Sequence, residues 1–406
     1  MSMNRNDRAI LSVTTVGHGM VHAYELAIPI FIPLWMATFD TNAAVIGFAV
    51  SIGYAMYGVG AVPSGLATDR RGSQWLIGVC LLGMGGSFLL LGLVDSVLGI
   101  AAVLAVWGAA ASIYHPAGLR LISTGVHQRG TAFGYHGIAG NVGIATGPLV
   151  AVVGLFAFDW QLVAIGLGLP AIAAGLFAVS VTIDELAAAP AGARNDSPSA
   201  AWSQLAGSTK QIFAGGFLLV FPIVILEGFF YRGVLTFLPD VLGRYEALAP
   251  IEMAGRAVDP AQYVFVGILV VGMVGQFVGG HISDRMPPDR AAVGAFVLLA
   301  AISVLFVPAA LAGLVPLLVV SAALGFVLFG EQPLLQAVVA DYSATDVRGL
   351  SYGYMFLGVF GIGAIGATFS GVVLAMTTEE ALFLLLAIVP ALAAILAARL
   401  SIGWSS

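Results

Sequence analysis

Read for apolar and polar positions, the chain is a succession of twelve apolar runs near twenty residues long, separated by short polar punctuation. The runs cover 9–37, 44–66, 74–94, 97–123, 131–156, 160–182, 211–239, 262–283, 290–310, 313–340, 350–374 and 380–400. A helix of that length crosses the roughly 30 Å hydrocarbon core of a bilayer, so the pattern predicts an all-α integral membrane protein of twelve transmembrane helices. Six runs precede the stretch from Asp184 to Lys210 and six follow it. The polar part of that stretch, DELAAAPAGARNDSPSAAWSQ, is rich in Ala, Ser, Pro and charge and reads as a linker. The expected organisation is an N-terminal six-helix bundle over 1–183, a linker over 184–210 and a C-terminal six-helix bundle over 211–406.

A repeat of long period supports two equivalent halves. GLATDRRG, from Gly65 to Gly72, returns 215 residues later as GGHISDR, from Gly279 to Arg285. Gly60, Gly65, Asp69 and Arg70 superpose on Gly275, Gly280, Asp284 and Arg285, and each acid–arginine pair directly follows an apolar run. A membrane helix that ends in a charged turn is thus written twice, which is the mark of pseudo-symmetric halves and not of a solenoid of short units.

Composition agrees with a lipid-facing surface. Hydrophobic residues make up 60% of the chain and charged residues 9%, against roughly 25% charged in soluble domains. Twelve spans and their loops use up the 406 residues and leave no room for a sizeable soluble domain. No phosphate-binding glycine loop follows a strand and no nucleophile elbow occurs, so the chain is expected not to be an enzyme. The lone Cys80 sits in an apolar run and offers neither a disulfide framework nor a metal-ligand spacing, and no cofactor is expected. MSMNRNDR opens a first spanning helix and not a cleaved signal. With both termini inside, the cytoplasmic face collects Arg5, Arg8, Arg70, Arg71, Arg120, Arg129, Arg194, Lys210, Arg285, Arg290, Arg348 and Arg399, against Arg244 and Arg256 outside. Twelve against two fixes the expected orientation and puts both acid–arginine turns in the cytoplasm.

Ionisable groups inside a span are costly unless they face a cavity or a partner, so they mark the candidate chemistry. In span 1, His18, His22 and Glu25 fall at i, i+4 and i+7, on one helical stripe suited to holding or passing protons. Span 7 carries Glu227 and Tyr231 on one face, with Arg232 turned about 100° from Tyr231. Arg232 then requires a carboxylate, with Glu25 or Glu227 the expected partner, or an anionic ligand. Span 4 contains Tyr114-His115-Pro116 and span 10 contains Glu331-Gln332-Pro333, 217 residues apart, and each proline is expected to open the backbone where polar residues line a cavity. Gln336 in span 10, and His136 and Asn141 in span 5, extend that lining, whereas Asp341 is expected in a cytoplasmic charge cluster with Arg348. Glycines recur at interfacial spacing in span 5 (Gly134, Gly137, Gly140, Gly143, Gly147) and in span 11 (Gly358, Gly361, Gly363, Gly366). They fit either ordinary tight packing or a seam along which two bundles rock.

The G-x-x-x-D-R-x-G turn resembles the loop between helices 2 and 3 of the major facilitator superfamily, whose members repeat it between helices 8 and 9. Ser73 and Gln74 stand where the usual basic pair closes that motif. YHPAG in span 4 and HGIAGNVGIATGPL in span 5 are similar to the fosmidomycin-resistance branch of bacterial drug-efflux proteins. GIATGP also resembles the span 5 motif associated with antiporters, with Val150 and Ala151 after the proline, and His22 and Glu25 replace an Asn-Asp pair. The resemblance implies secondary active transport by alternating access.

The combined expectation is a monomeric, proton-coupled exporter of a small organic or drug-like compound in a prokaryotic cell membrane, with no nucleic-acid partner. Glu25, Glu227 and His22 would handle protons. Arg232, Tyr231, His115, Tyr114, Glu331, Gln332, Gln336, His136 and Asn141 would meet substrate. Asp69, Arg70, Asp284, Arg285, Gly143, Gly147 and Pro148 would gate. An importer of a nutrient anion or sugar, and a membrane sensor or scaffold that does not transport, are the alternatives.

Overall fold

The computed structural model describes residues 3–189, 207–253, 256–343 and 348–403, apart from the side chains of Leu66, Asp69, Arg70, Arg256 and Arg348. Twelve of its helical segments are long and apolar enough to cross a membrane. The chain forms two compact units, Met1–Thr41 with Phe48–Arg194, and Asn42–Gly47 with Asn195–Ser406.

The first unit is built from α1 (Arg5–Thr38), most of α2 (Ala43–Val59), α3 (Ala61–Arg71), α4 (Ser73–Leu91), α5 (Val97–Ala111), α6 (Tyr114–Gly125), α7 (Arg129–Leu155) and α8 (Trp160–Ser180). The side chain of Asn4 caps α1 by accepting from the Asp7 N–H at 2.7 Å. α2 with α3, and α5 with α6, each make one interrupted span. Pro63 and Pro116 account for the interruptions, because neither ring can donate to the carbonyl four residues earlier, at Val59, the last residue of α2, and at Ser112, the residue after α5 ends.

Glycine governs how α1 meets α7. A methyl group at Gly143 would overlap the carbonyl oxygen of Gly19, and one at Gly147 that of Ala23, so the two backbones lie in direct contact. Gly134 and Gly137, by contrast, face nothing within 4 Å. The close glycine contacts of α7 are therefore packing inside one unit. Residues 184–189 also pack on this unit. Asp184 exchanges hydrogen bonds with the Asn6 side chain at 2.8 and 3.0 Å, and the Glu185 carboxylate accepts from the backbone N–H groups of Ser73 and Gln74 at 2.8 and 2.9 Å. Glu185 thereby caps α4, whose entry through Gly72 has a positive φ of 87°. The start of the expected linker is thus anchored, and 190–206 lie outside the described residues.

The second unit comprises α9 over 207–213, α10 (Phe217–Gly243), a small antiparallel hairpin, α11 (Pro260–Ser283), α12 (Pro288–Leu311), α13 (Leu314–Asp341), α14 (Arg348–Phe356), a π turn (Leu357–Ile362), α15 (Ile365–Met376) and α16 (Glu379–Gly403). The hairpin pairs β1 (Ile251–Met253) with β2 (Arg256–Val258) and was not expected from the apolar runs. Span 7 starts at Phe217 and not at 211, because Gly215 and Gly216 separate it from α9. Span 10 also departs from expectation: α13 runs unbroken through Pro333, while its counterpart Pro116 stands at a real break. At the break, the hydroxyl of Ser112 lies 3.2 Å from that of Ser64, a polar contact for which span 10 has the apolar Phe329 at the matching position.

Both units carry apolar side chains on their outer faces, such as Leu98 at 80% and Val315 at 71% exposure, as lipid contact requires. α1 and α10 are the most buried spans, each with 61% of its apolar window inside. Between them they hold His18, His22, Glu25, Glu227 and Arg232.

Candidate functional site

In the first unit, four of the chain's six histidines come together. The α1 stripe presents His18 and His22 one turn apart, as the spacing predicts, and the contact of α1 with Gly140 lets the His18 ring lie flat on His136, 3.8 Å between centroids. His115, at the start of α6, stands 5.4 Å from His18 and 5.6 Å from His22. His22 Nδ1 lies 2.9 Å from Glu25 Oε2, His18 Nδ1 lies 2.7 Å from the His136 carbonyl oxygen, and the two Nε2 atoms are 3.1 Å apart. Glu25 is 1% exposed, so this carboxylate is held inside the unit with an imidazole beside it. Of the ligand-contact candidates here, Tyr114 is fully buried and donates its hydroxyl to the Thr14 carbonyl, which makes it a tie between α6 and α1. Asn141 is half-buried, and Pro148 is buried within α7.

In the second unit, α10 brings Glu227 and Arg232 into electrostatic contact, both nearly inaccessible. Glu227 is thus one of the groups whose charge Arg232 feels within this unit. The guanidinium also stacks on the rings of Tyr231 and Phe360, at 5.3 and 5.2 Å. Phe360 belongs to the π turn, an irregular turn of the kind that recurs at functional sites. From α13, Glu331 completes the group: it is 0% exposed, it interacts with Glu227, and neither carboxylate oxygen has a hydrogen-bond partner among the described residues. A wholly buried carboxylate of this kind calls for an explanation in terms of function or a further cation. Among the described residues the group thus holds two buried acids and one guanidinium. Gln332 lies 3.5 Å from Gln276 of α11, while Gln336 is exposed.

The sequence pattern singled out most of these residues but not their associations. It missed Gln276 and Phe360, which carry no signal beyond their type, and it assigned Glu331 to ligand contact without its neighbour Glu227. Among the gating candidates, Asp284 and Arg285 are exposed at the end of α11. The side chains of Asp69 and Arg70 lie outside the described residues, as does that of Arg348, expected near the exposed Asp341. Gly143 and Gly147 occupy the α1–α7 contact described above.

Comparison with known proteins supplies the wider setting. The model of the Major Facilitator Superfamily matches residues 14–367 and 255–402. The chain is 24% identical over 383 residues to the membrane sensor protein UhpC of Escherichia coli (strain K12), covering 90% of this chain and 84% of that protein. It is 25% identical over 385 residues to UhpC of Salmonella typhimurium (strain LT2), covering 92% and 85%. In fold it is similar to a bacterial homolog of the human lysosomal transporter Spinster, with a TM-score of 0.76, 15% identity and 98% of each chain covered. It is likewise similar to the nucleoside transporter NupG, with a TM-score of 0.75, 13% identity and 98% and 100% coverage.

Proposed function

The chain belongs to the Major Facilitator Superfamily, and from that premise we propose that this secondary transporter is a proton-coupled exporter of a small organic compound, working by alternating access. The observation that carries the reading is the group Glu227, Arg232 and Glu331. Glu227 interacts with both the Arg232 guanidinium and the second buried acid, Glu331, so two acids stand against one guanidinium and one proton on the acids would balance the formal charge. A proton is the cation that needs no coordination shell. When an anionic substrate approaches Arg232, the guanidinium has two rivals for its charge, and the proton on the acid pair decides which wins. Anion binding at Arg232 and protonation of the acid pair are thereby linked. Glu25, held by His22, provides a second proton-exchanging position in the first unit. His115 and His136 in the first unit, and Gln332 and Tyr231 in the second, are assigned to ligand contact, and each acid–arginine turn, Asp69–Arg70 and Asp284–Arg285, to the cytoplasmic gate. The antiporter-like GIATGP of span 5 favours export over import.

The test uses purified protein in liposomes and compares two modes of transport. Exchange of labelled for unlabelled compound at equal pH requires binding and alternation only, whereas accumulation against a gradient requires the proton. Glu25→Gln and Glu227→Gln should retain exchange and lose accumulation. Accumulation at the unmodified level in both variants would remove the carboxylates from coupling.

A second reading rests on the UhpC relatives, which are named as membrane sensors. If this chain senses a ligand without moving it, ligand binds to the detergent-purified protein but no exchange occurs in liposomes.

A further inference from the structure

The imidazole cluster of the first unit holds more than a coupling proton needs, and we propose that His18, His22 and His115 form a binding site for one divalent transition-metal ion of the Zn2+ class. The argument starts from the hydrogen bonds that fix the rings. A carboxylate and a carbonyl oxygen only accept, so His22 Nδ1 donates to Glu25 at 2.9 Å and His18 Nδ1 donates to the His136 carbonyl at 2.7 Å. In the neutral rings both Nε2 atoms then carry lone pairs, and these face each other at 3.1 Å. Two opposed lone pairs at that distance repel unless a cation lies between them.

A proton would satisfy that pair alone. The third imidazole distinguishes a metal from a proton, because ligand atoms of His18, His22 and His115 all lie within 4.8 Å of one another. Zinc–imidazole bonds of roughly 2.0–2.1 Å at tetrahedral angles put neighbouring nitrogens about 3.3 Å apart, close to the spacing the first two rings already have. His115 would have to close in by at most about 1.5 Å to reach that spacing. The Glu25 and His136 acceptors are the outer partners that metal-bound histidines use to fix ring orientation and raise basicity. Three nitrogen ligands and no thiolate suit Zn2+, Co2+ or Ni2+ and disfavour Mg2+ or Ca2+. His22 keeps 17% of its side chain exposed, so an ion has a way in.

This inference does not rest on proton coupling, since an ion can bind at equilibrium whether or not the protein transports. The experiment titrates ZnCl2 into the detergent-purified full chain, carrying an affinity tag without histidine, by calorimetry. X-ray absorption at the zinc edge is then recorded on the loaded protein. The expected result is one ion per chain with three nitrogen ligands, an affinity at least tenfold weaker in His115→Ala and His22→Ala, and no change in His127→Ala or His281→Ala. No saturable binding, a shell of oxygen ligands, or equal affinity in His115→Ala and His22→Ala would overturn it. The absorption spectrum needs no variant, so it decides the matter even where a substitution fails to fold.

Discussion

Replacing Glu331 by Gln removes one negative charge from the buried group and changes almost nothing else. The amide has the shape of the carboxyl, and neither carboxylate oxygen gives up a hydrogen bond among the described residues. What remains is Glu227 facing Arg232, one formal charge against one. Each proton exchanged per cycle contributes about 1.4 kcal/mol per pH unit across the membrane, a factor of about ten in accumulation. With the membrane potential clamped to zero, a gradient of two pH units should therefore support an accumulation ratio about a hundredfold lower in Glu331→Gln than in the unmodified protein. The assay is uptake of a labelled compound into inverted vesicles or liposomes, with exchange at equal pH as the control for folding and binding. Thermal stability should not fall, because an uncompensated buried charge is replaced by a neutral group. An unchanged accumulation ratio in a variant that still exchanges would refute the charge argument, and the coupling proton would have to reside elsewhere.

The other predictions concern single contacts. Arg232→Ala should weaken binding of an anionic ligand by at least about tenfold, the cost of one charged contact, measured by ligand-induced thermal shift, and equal affinity would remove it from the site. Gly147→Ala should destabilise the purified protein by about 1–3 kcal/mol through overlap with the Ala23 carbonyl. Gly137→Ala, with nothing within 4 Å, should be neutral or stabilising by up to about 1 kcal/mol. Glu185→Ala should lower the melting temperature of the first unit through loss of the α4 cap, worth about 1 kcal/mol, seen by fluorescence-detected melting.

The fold was legible because apolar run length is a strong and local signal. Eleven of the twelve spans start within four residues of the expected position, and the exception, span 7, follows from Gly215 and Gly216, whose helix-breaking effect the run of apolar residues masked. The hairpin at Ile251–Val258 was hidden for the opposite reason: two three-residue strands are too short for any alternation to show. Pro116 and Pro333 show how far symmetry carries. They stand at equivalent positions, yet only the first marks a break, since the outcome depends on what the freed backbone meets. The candidate site was legible as helix stripes and no further. Spacing put His18, His22 and Glu25 on one face of α1, but His136 joins them only because Gly140 admits the His18 ring between α1 and α7. Likewise Glu331 reads as a polar residue before a proline, and becomes the second acid of a pair only once α13 packs against α10. Which helices touch is a property of side-chain shape over the whole unit, and no local pattern encodes it.

The central claim, that transport is coupled to protons through buried carboxylates, is tested most directly by placing the purified protein in liposomes that enclose a pH-sensitive dye. A panel of fosmidomycin-like and other small organic compounds is added outside, with the potential clamped. The account predicts that at least one compound drives proton movement, and that the signal disappears in Glu331→Gln while exchange of the compound persists. Movement of a compound with no proton flux in the unmodified protein would contradict it.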